Sequence, residues 1–291
     1  MAEQAQRDTQ QSWASWAQAQ LKEGRHVWAV VDASADLPPA LRRELDQLSP
    51  HINLFTHRTS EAAALALAPR LIGVSPQCMP SMLKQLWLEQ SVDEPIVFFV
   101  STAMGEQDFE QAMHQRVRAE LPDGEVMLFR WWDARIWWAL HQLPQADHPE
   151  VGALLSVFAA SLSQSRDGSV LTSAYPQANG DALAGPDQFK LSEATFHRLL
   201  TLGEADAVLG ICREQYPGAL DGVAPAQRHA LACEQIGWAV AEGFSAPHDH
   251  ALATRISAEL GADWHQQPEW AGLVAEAKAT GRTLLASVEA S

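Results

Sequence analysis

Residues 115–142 read QRVRAELPDGEVMLFRWWDARIWWALHQ, and this stretch decides the fold class of the first half of the chain. From Gln115 to Leu121 polar and apolar side chains alternate. Pro122-Asp-Gly-Glu125 has the composition of a tight turn, and Val126 to Trp131 returns as an apolar run. Two short runs joined through a glycine at the position that needs positive φ make a β-hairpin. Asp133 then stands where a helix N-cap is wanted, and Ala134 to Gln142 carries Ile136, Trp137 and Leu140 on one face. A hairpin running straight into an amphipathic helix belongs to a domain that mixes strands and helices.

Upstream, short apolar runs alternate with helical segments. Thr9–Lys22 reads as an opening helix with Trp13, Trp16, Ala17 and Leu21 on one side. His26–Val31 reads as a buried strand that delivers Asp32 at its end, and Leu37–Leu48 as a leucine-rich helix opened by Pro38-Pro39. His51–Phe55, Arg70–Val74 and Pro95–Ser101 read as further strands, the last apolar enough to be central. Glu61–Ala68, Ser81–Gln90 and Gln107–His114 read as the helices between them. Val151–Leu162 is apolar and suits either helix or strand, with helix favoured, and Ser163–Asp187, rich in Ser, Gly, Asn and Pro, is assigned to a loop joining two lobes.

Beyond that loop the periodicity is helical throughout: Ser192–Leu202, Glu204–Tyr216, Ala224–Glu242, Asp249–Gly261 and Pro268–Thr280. Within Ala224–Glu242, Leu231, Cys233, Ile236, Trp238, Ala239 and Val240 are too many apolar residues for a narrow stripe, which predicts that this helix is central. The expected architecture is an α/β (α+β) lobe over residues 1–186 with a mixed five- or six-stranded sheet, then an all-α lobe over residues 187–291.

A net charge of -16 repels phosphate backbones and argues against a nucleic-acid partner. The acid excess is on both sides of the join, with 13 Asp and Glu against 7 Lys and Arg from Phe189 onward. No apolar run approaches the ~20 residues that span a bilayer, and no secretory signal opens the chain, so membrane insertion is not expected and a cytoplasmic location is. Cys78, Cys212 and Cys233 are far apart and form no CxxC pair, as suits reduced thiols.

Catalysis needs a constellation, and none of the familiar ones is present: no GxSxG elbow, phosphate loop, dinucleotide fingerprint or HExxH. His248-Asp249-His250 reads either as alternating metal ligands or as a helix cap flanked by solvated histidines, and the second reading is favoured. His141 and His148 bracket a proline-containing loop. Asp32 and Asp36 form either a carboxylate pair at a strand end or a turn and cap ahead of Pro38. The expectation is a protein that is not an enzyme and carries no metal or cofactor.

The run Arg118-Ala-Glu-Leu-Pro-Asp-Gly-Glu-Val-Met-Leu-Phe-Arg-Trp-Trp-Asp-Ala-Arg135 resembles the signature of a bacterial family known as domain of unknown function 4123. Members carry a Leu-Pro-Asp-Gly turn, an aliphatic and aromatic run, then Arg-aromatic-aromatic-Asp-Pro-Arg. Ala134 stands here in place of the proline, and both residues suit a first helical turn. Val30-Val31-Asp32-Ala33 and Ala68-Pro69-Arg70-Leu71 are similar to steps found in the same order in the family. The similarity runs from about Arg25 to Leu143 and is looser in the tail, through Asp249–Gly261 and Asp263–Trp270.

The resemblance implies an adaptor chaperone of type VI secretion, which binds a cognate effector and helps mount it on the VgrG spike. Arg130, Asp133 and Arg135 read as an ion-pair cluster tying the hairpin to the following helix, acting as a conformational lock or in partner binding. Strand alternation predicts that at least one of Trp131 and Trp132 faces outward. The helical lobe is expected to choose the cargo, because the signature lies wholly in the other lobe. Two other function classes stay open. One is a hydrolase or transferase using Asp32 and nearby histidines, which a deep polar pocket with an exposed Asp32 would favour; the other is a toxin-neutralising immunity protein. An apolar groove or exposed aromatic patch would favour the adaptor.

Overall fold

The structure is a computed structural model that describes residues 13–34, 37–74, 81–175 and 189–290. Asp36, Cys78 and most of the second half of the expected joining loop therefore lie outside the described residues. Contacts divide the chain into two compact units, Met1–Leu199 and Leu200–Ser291. The division falls inside a helix, beyond the boundary at residue 186 read from the sequence.

The first unit contains a six-stranded sheet in the order β2-β3-β1-β4-β7-β8. Its strands are β1 (His26–Val31), β2 (His51–Asn53), β3 (Arg70–Val74), β4 (Val97–Thr102), β7 (Ala160–Gln164) and β8 (Val170–Ala174). All its pairings are antiparallel. Parallel pairing, expected from a mixed sheet, occurs instead in a second, three-stranded sheet of order β6-β5-β9. There β5 (Arg118–Glu120) pairs antiparallel with β6 (Val126–Leu128) and parallel with β9 (Phe189–Lys190). Gly124, at φ 86°, closes the hairpin as its sequence requires.

Helices alternate with these strands: α1 over residues 13–22, α2 (Pro39–Gln47), α3 (Ala62–Leu67), α4 (Ser81–Glu89), α5 (Glu106–Gln115), α6 (Ala134–His141) and α7 (Pro149–Leu155). They cover both faces of the large sheet, which is why β4 is buried at all six positions and opens with the apolar run Val97-Phe-Phe-Val100. On one face the register aligns Ile72, Ala29, Phe99 and Leu162 across four strands, and this row packs with Leu45 of α2 and Leu83 and Trp87 of α4. On the other, Trp28 meets Phe109 of α5 at 5.3 Å between ring centroids, and Phe98 stacks on Trp137 of α6 at 4.6 Å. Aromatic pairs of this kind contribute about 0.5–1.5 kcal/mol each beyond their buried area.

Two segments differ from the sequence reading. Val151–Leu162 is helix only as far as Leu155; Ala160 onward is strand β7. The Ser-rich stretch after it is no loop at first: Ser165–Ser169 forms a turn, and Val170–Ala174 returns as edge strand β8.

The second unit is helical: α8 (Glu193–Gln215, shared with the first unit), α9 (Pro225–Ala241), α10 (Pro247–Leu260), a 3-10 turn at Trp264–Gln266, α11 (Pro268–Thr280) and α12 (Leu284–Glu289). Three of these begin with proline at the first helical position, where a missing N–H costs nothing. The two segments read on either side of Gly203 are one continuous α8. The central helix is α10 rather than α9. Asp249, His250, Ala251, Leu252, Ala253, Thr254, Ile256 and Ser257 are all buried in α10, against Ala232, Gln235 and Ala239 in α9. Among the described residues no helix is long and apolar enough to cross a membrane.

Candidate functional site

The end of β1 and the exit of the β5–β6 hairpin meet at one cluster of charges. The backbone N–H of Asp32 donates to the Ile96 carbonyl at 2.9 Å, which prolongs the β1–β4 ladder and fixes the carboxylate. Asp32 Oδ1 accepts from the Ser34 backbone N–H at 3.0 Å and from its hydroxyl at 2.6 Å. Asp32 Oδ2 accepts from Arg130 Nη2 at 2.9 Å, and the same nitrogen lies 3.5 Å from Asp133 Oδ2. The Arg130 guanidinium therefore joins two aspartates that come from distant parts of the chain.

Asp133 is the N-cap of α6, accepting from the Arg135 backbone N–H at 3.0 Å. The Arg135 side chain adds Nε to Oδ1 at 2.9 Å and Nη2 to Oδ2 at 2.7 Å, the two-pronged geometry that a planar guanidinium favours. Burial by itself would push the Asp133 carboxyl up. The bonds and charge of Arg135, with a smaller contribution from Arg130, outweigh it and hold the group below its ordinary value.

Both carboxylates are buried, at 7% side-chain exposure, whereas Arg130 and Arg135 are 41% and 30% exposed. The arginines form part of the wall of an open cavity of about 520 Å³, with Asp32, Ser34, Gln90, Glu94 and other polar groups around it. Among the described residues no histidine lines it. Both Asp32 oxygens already accept hydrogen bonds, and the Arg130 link joins the hairpin exit to the end of β1.

The tryptophans are placed differently from expectation. The strand stops at Leu128 and the chain turns, so Trp131 and Trp132 both swing inward, at 0% and 2% exposure. Trp131 packs against Phe158 and Trp137, and Trp132 edges onto Phe55. Neither is available as an outward anchor. What the hairpin exposes is aliphatic: Val126 at 49%, Met127 at 43% and Leu128 at 43%.

The remaining sequence candidates are dispersed. The α10 helix starts at Pro247, so Asp249 does not cap it; its Oδ1 accepts from the Leu285 backbone N–H at 2.9 Å, at the start of α12. His250 is buried, with Nε2 2.9 Å from the Phe244 carbonyl and Nδ1 3.2 Å from Glu204. His248 faces Gln215 instead, at 3.3 Å. His148 Nδ1 is 2.7 Å from the Thr195 hydroxyl.

His141 belongs to a buried relay. Its Nδ1 donates to the Trp137 carbonyl at 2.6 Å, which leaves Nε2 to accept from the Tyr175 hydroxyl, itself 2.5 Å from Ser161 Oγ. Burial lowers the His141 pKa and raises that of Tyr175, so both stay neutral. The Cys212 thiol is buried and pushed up to about 11, which makes it a packing group rather than a nucleophile.

Residues 27–151 match a family model described as Domain of unknown function (DUF4123). Neither the curated proteins nor the solved structures gave a match. The matched stretch runs from β1 into the first turn of α7, and so contains Asp32, Arg130, Trp131, Trp132, Asp133 and Arg135. It leaves out β7, β8, β9 and the helical unit. Within the same stretch, sequence reading missed His57, Glu110 and His114, which the fold brings together; the spacing of Glu110 and His114, four residues apart on one helix, is the signal that could have found them.

Proposed function

We propose that the chain is a non-enzymatic adaptor that binds a cognate type VI secretion effector in the cytoplasm and helps load it onto the VgrG spike. The observation that carries this reading is the exposed aliphatic edge strand β6, set inside the DUF4123 stretch. Val126, Met127 and Leu128 are consecutive, all more than 40% exposed, and β6 is the outer strand of its sheet. A bare apolar edge is a hazard that monomeric proteins ordinarily cover or charge, and a partner strand is its natural cover. The secretion role itself rests on the likeness of the Arg118–Arg135 signature to that family.

The hairpin geometry specifies the docking. Leu121 N–H donates to the Glu125 carbonyl and Phe129 N–H to the Val117 carbonyl. Alternation then turns the backbone groups of Met127 toward β5, and those of Val126 and Leu128 toward the open edge. An extended segment of the spike protein adds there as a further strand, while the helical unit takes the effector. Asp32 supports the same side of the question, since its carboxylate is buried and fully engaged rather than poised over a substrate.

Affinity capture of the full chain from cells expressing the secretion apparatus tests the proposal. Recovery of a VgrG-type spike protein together with one effector is expected. Recovery of neither contradicts it.

A further inference from the structure

The geometry points to a divalent transition-metal site, of the kind that takes Zn²⁺, formed by His57, Glu110 and His114. One ligand atom from each lies within 4.8 Å of the others. His114 Nε2 is 3.6 Å from Glu110 Oε1, and the His57 and His114 rings meet edge to face with centroids 4.5 Å apart. With Zn–N and Zn–O bonds near 2.1 Å and a tetrahedral angle, ligand atoms sit about 3.4 Å apart. The Glu110–His114 pair is already close to that spacing. The third ligand, His57, is exposed and lies within 4.8 Å, so a side-chain adjustment of up to about 1.4 Å brings it to the same spacing.

The orphaned nitrogen of His114 is the strongest sign. The side chain is 9% exposed, and its Nδ1 donates to the Leu54 carbonyl at 3.1 Å. That bond fixes the tautomer and leaves a lone pair on Nε2, which is buried, makes no hydrogen bond within 3.5 Å and faces Glu110 Oε1 at 3.6 Å. A histidine whose far nitrogen is held by a backbone carbonyl is the usual supporting arrangement of a metal ligand.

Two features of the surroundings favour a cation. Glu110 and His114 are four residues apart on α5, so both project from one face. His114 lies in the last turn of that helix, whose carbonyls carry partial negative charge. The Arg58 guanidinium, though nearby, donates to the His114 carbonyl at 2.9 Å and so braces the site. Two histidines and one carboxylate leave a fourth position open to solvent on the His57 side. The bound ion fastens the turn carrying His57 to α5. This assignment is independent of the adaptor reading.

The test uses the full chain stripped of metal by a chelator, then titrated with Zn²⁺ against a chromophoric competitor. The wild type is expected to bind one equivalent. His57→Ala and Glu110→Gln, both at accessible side chains and therefore compatible with folding, are each expected to weaken binding at least about tenfold. Metal-free melting temperatures of the variants should match the wild type. In a parallel titration with Co²⁺ the wild type is expected to give the intense visible bands of a four-coordinate ion and the variants to lose them. Absence of binding by the wild type overturns the assignment. So does equal binding by both variants, which would place the ion on other surface histidines.

Discussion

Arg130 Nη2 donates to Asp32 Oδ2 at 2.9 Å, closing a contact between residues 98 positions apart. The pair ties the hairpin exit to the end of β1. Because Arg130 is 41% exposed, solvent screens much of its contribution. Arg130→Ala should therefore cost about 1 kcal/mol, while Asp32→Ala, which also removes the acceptor for Ser34, should cost about 2 kcal/mol. A double-mutant cycle by urea unfolding should give a coupling near 1 kcal/mol. Strict additivity would mean the contact does not fasten the two segments.

Asp133 predicts an acid-sensitive hold on α6. Its folded-state pKa is depressed, so its contribution to stability is full above the unfolded value of about 3.9 and is lost as pH falls through the folded value. Asp133→Asn should be less stable than wild type at neutral pH by about 1–2 kcal/mol, and the gap should narrow below about pH 4. Unfolding curves at neutral pH and at pH 3 measure this. A gap that widens on acidification would reverse the assigned sign.

Gly73 is fixed by a neighbour rather than by its own backbone. A Cβ at this position would stand 2.5 Å from Pro50 Cγ, while the Gly73 N–H already bonds the Pro50 carbonyl at 2.8 Å. Gly73→Ala should destabilise by about 1–3 kcal/mol. Gly237, in α9 with nothing within 4 Å of its added Cβ, is the control: Gly237→Ala should stabilise by about 0.5–1 kcal/mol. Thermal melts of both variants decide the matter.

Asp249 holds the start of α12 from a distance, through the Leu285 N–H at 2.9 Å. Asp249→Ala should cost about 1–2 kcal/mol and raise amide exchange first in α12, with Asn at 249 restoring most of the protection. Exchange that rises first in α10 would instead place the role of Asp249 within its own helix.

Local chemistry made the hairpin and the α6 cap legible in sequence, because a Pro-Asp-Gly turn and an Asp before a helix act over a few residues. The β1, β3 and β4 strands were legible for the same reason as apolar runs. Features that depend on partners were not. The exposed, serine-bearing β8 gains its strand identity from β7, to which it pairs over Ala160–Gln164. The α10 helix is central through Ala251, Ala253, Thr254 and Ser257, small residues that let neighbours approach and that apolar patterning passes over. Trp131 and Trp132 would alternate if the strand continued to them, but it ends at Leu128. Asp32 and Arg130 were each singled out in sequence; that they meet is a property of the sheet.

The most direct test of the adaptor account is calorimetric titration of the purified VgrG-type spike protein into the wild-type chain and into Leu128→Pro. Proline at 128 removes the outward N–H of the edge strand and leaves the bonds to β5 in place, so the fold should be unchanged. The account predicts binding by the wild type and at least about tenfold weaker binding by the variant, with equal melting temperatures. No binding by the wild type would contradict the adaptor role, and equal affinity for both proteins would contradict docking at β6.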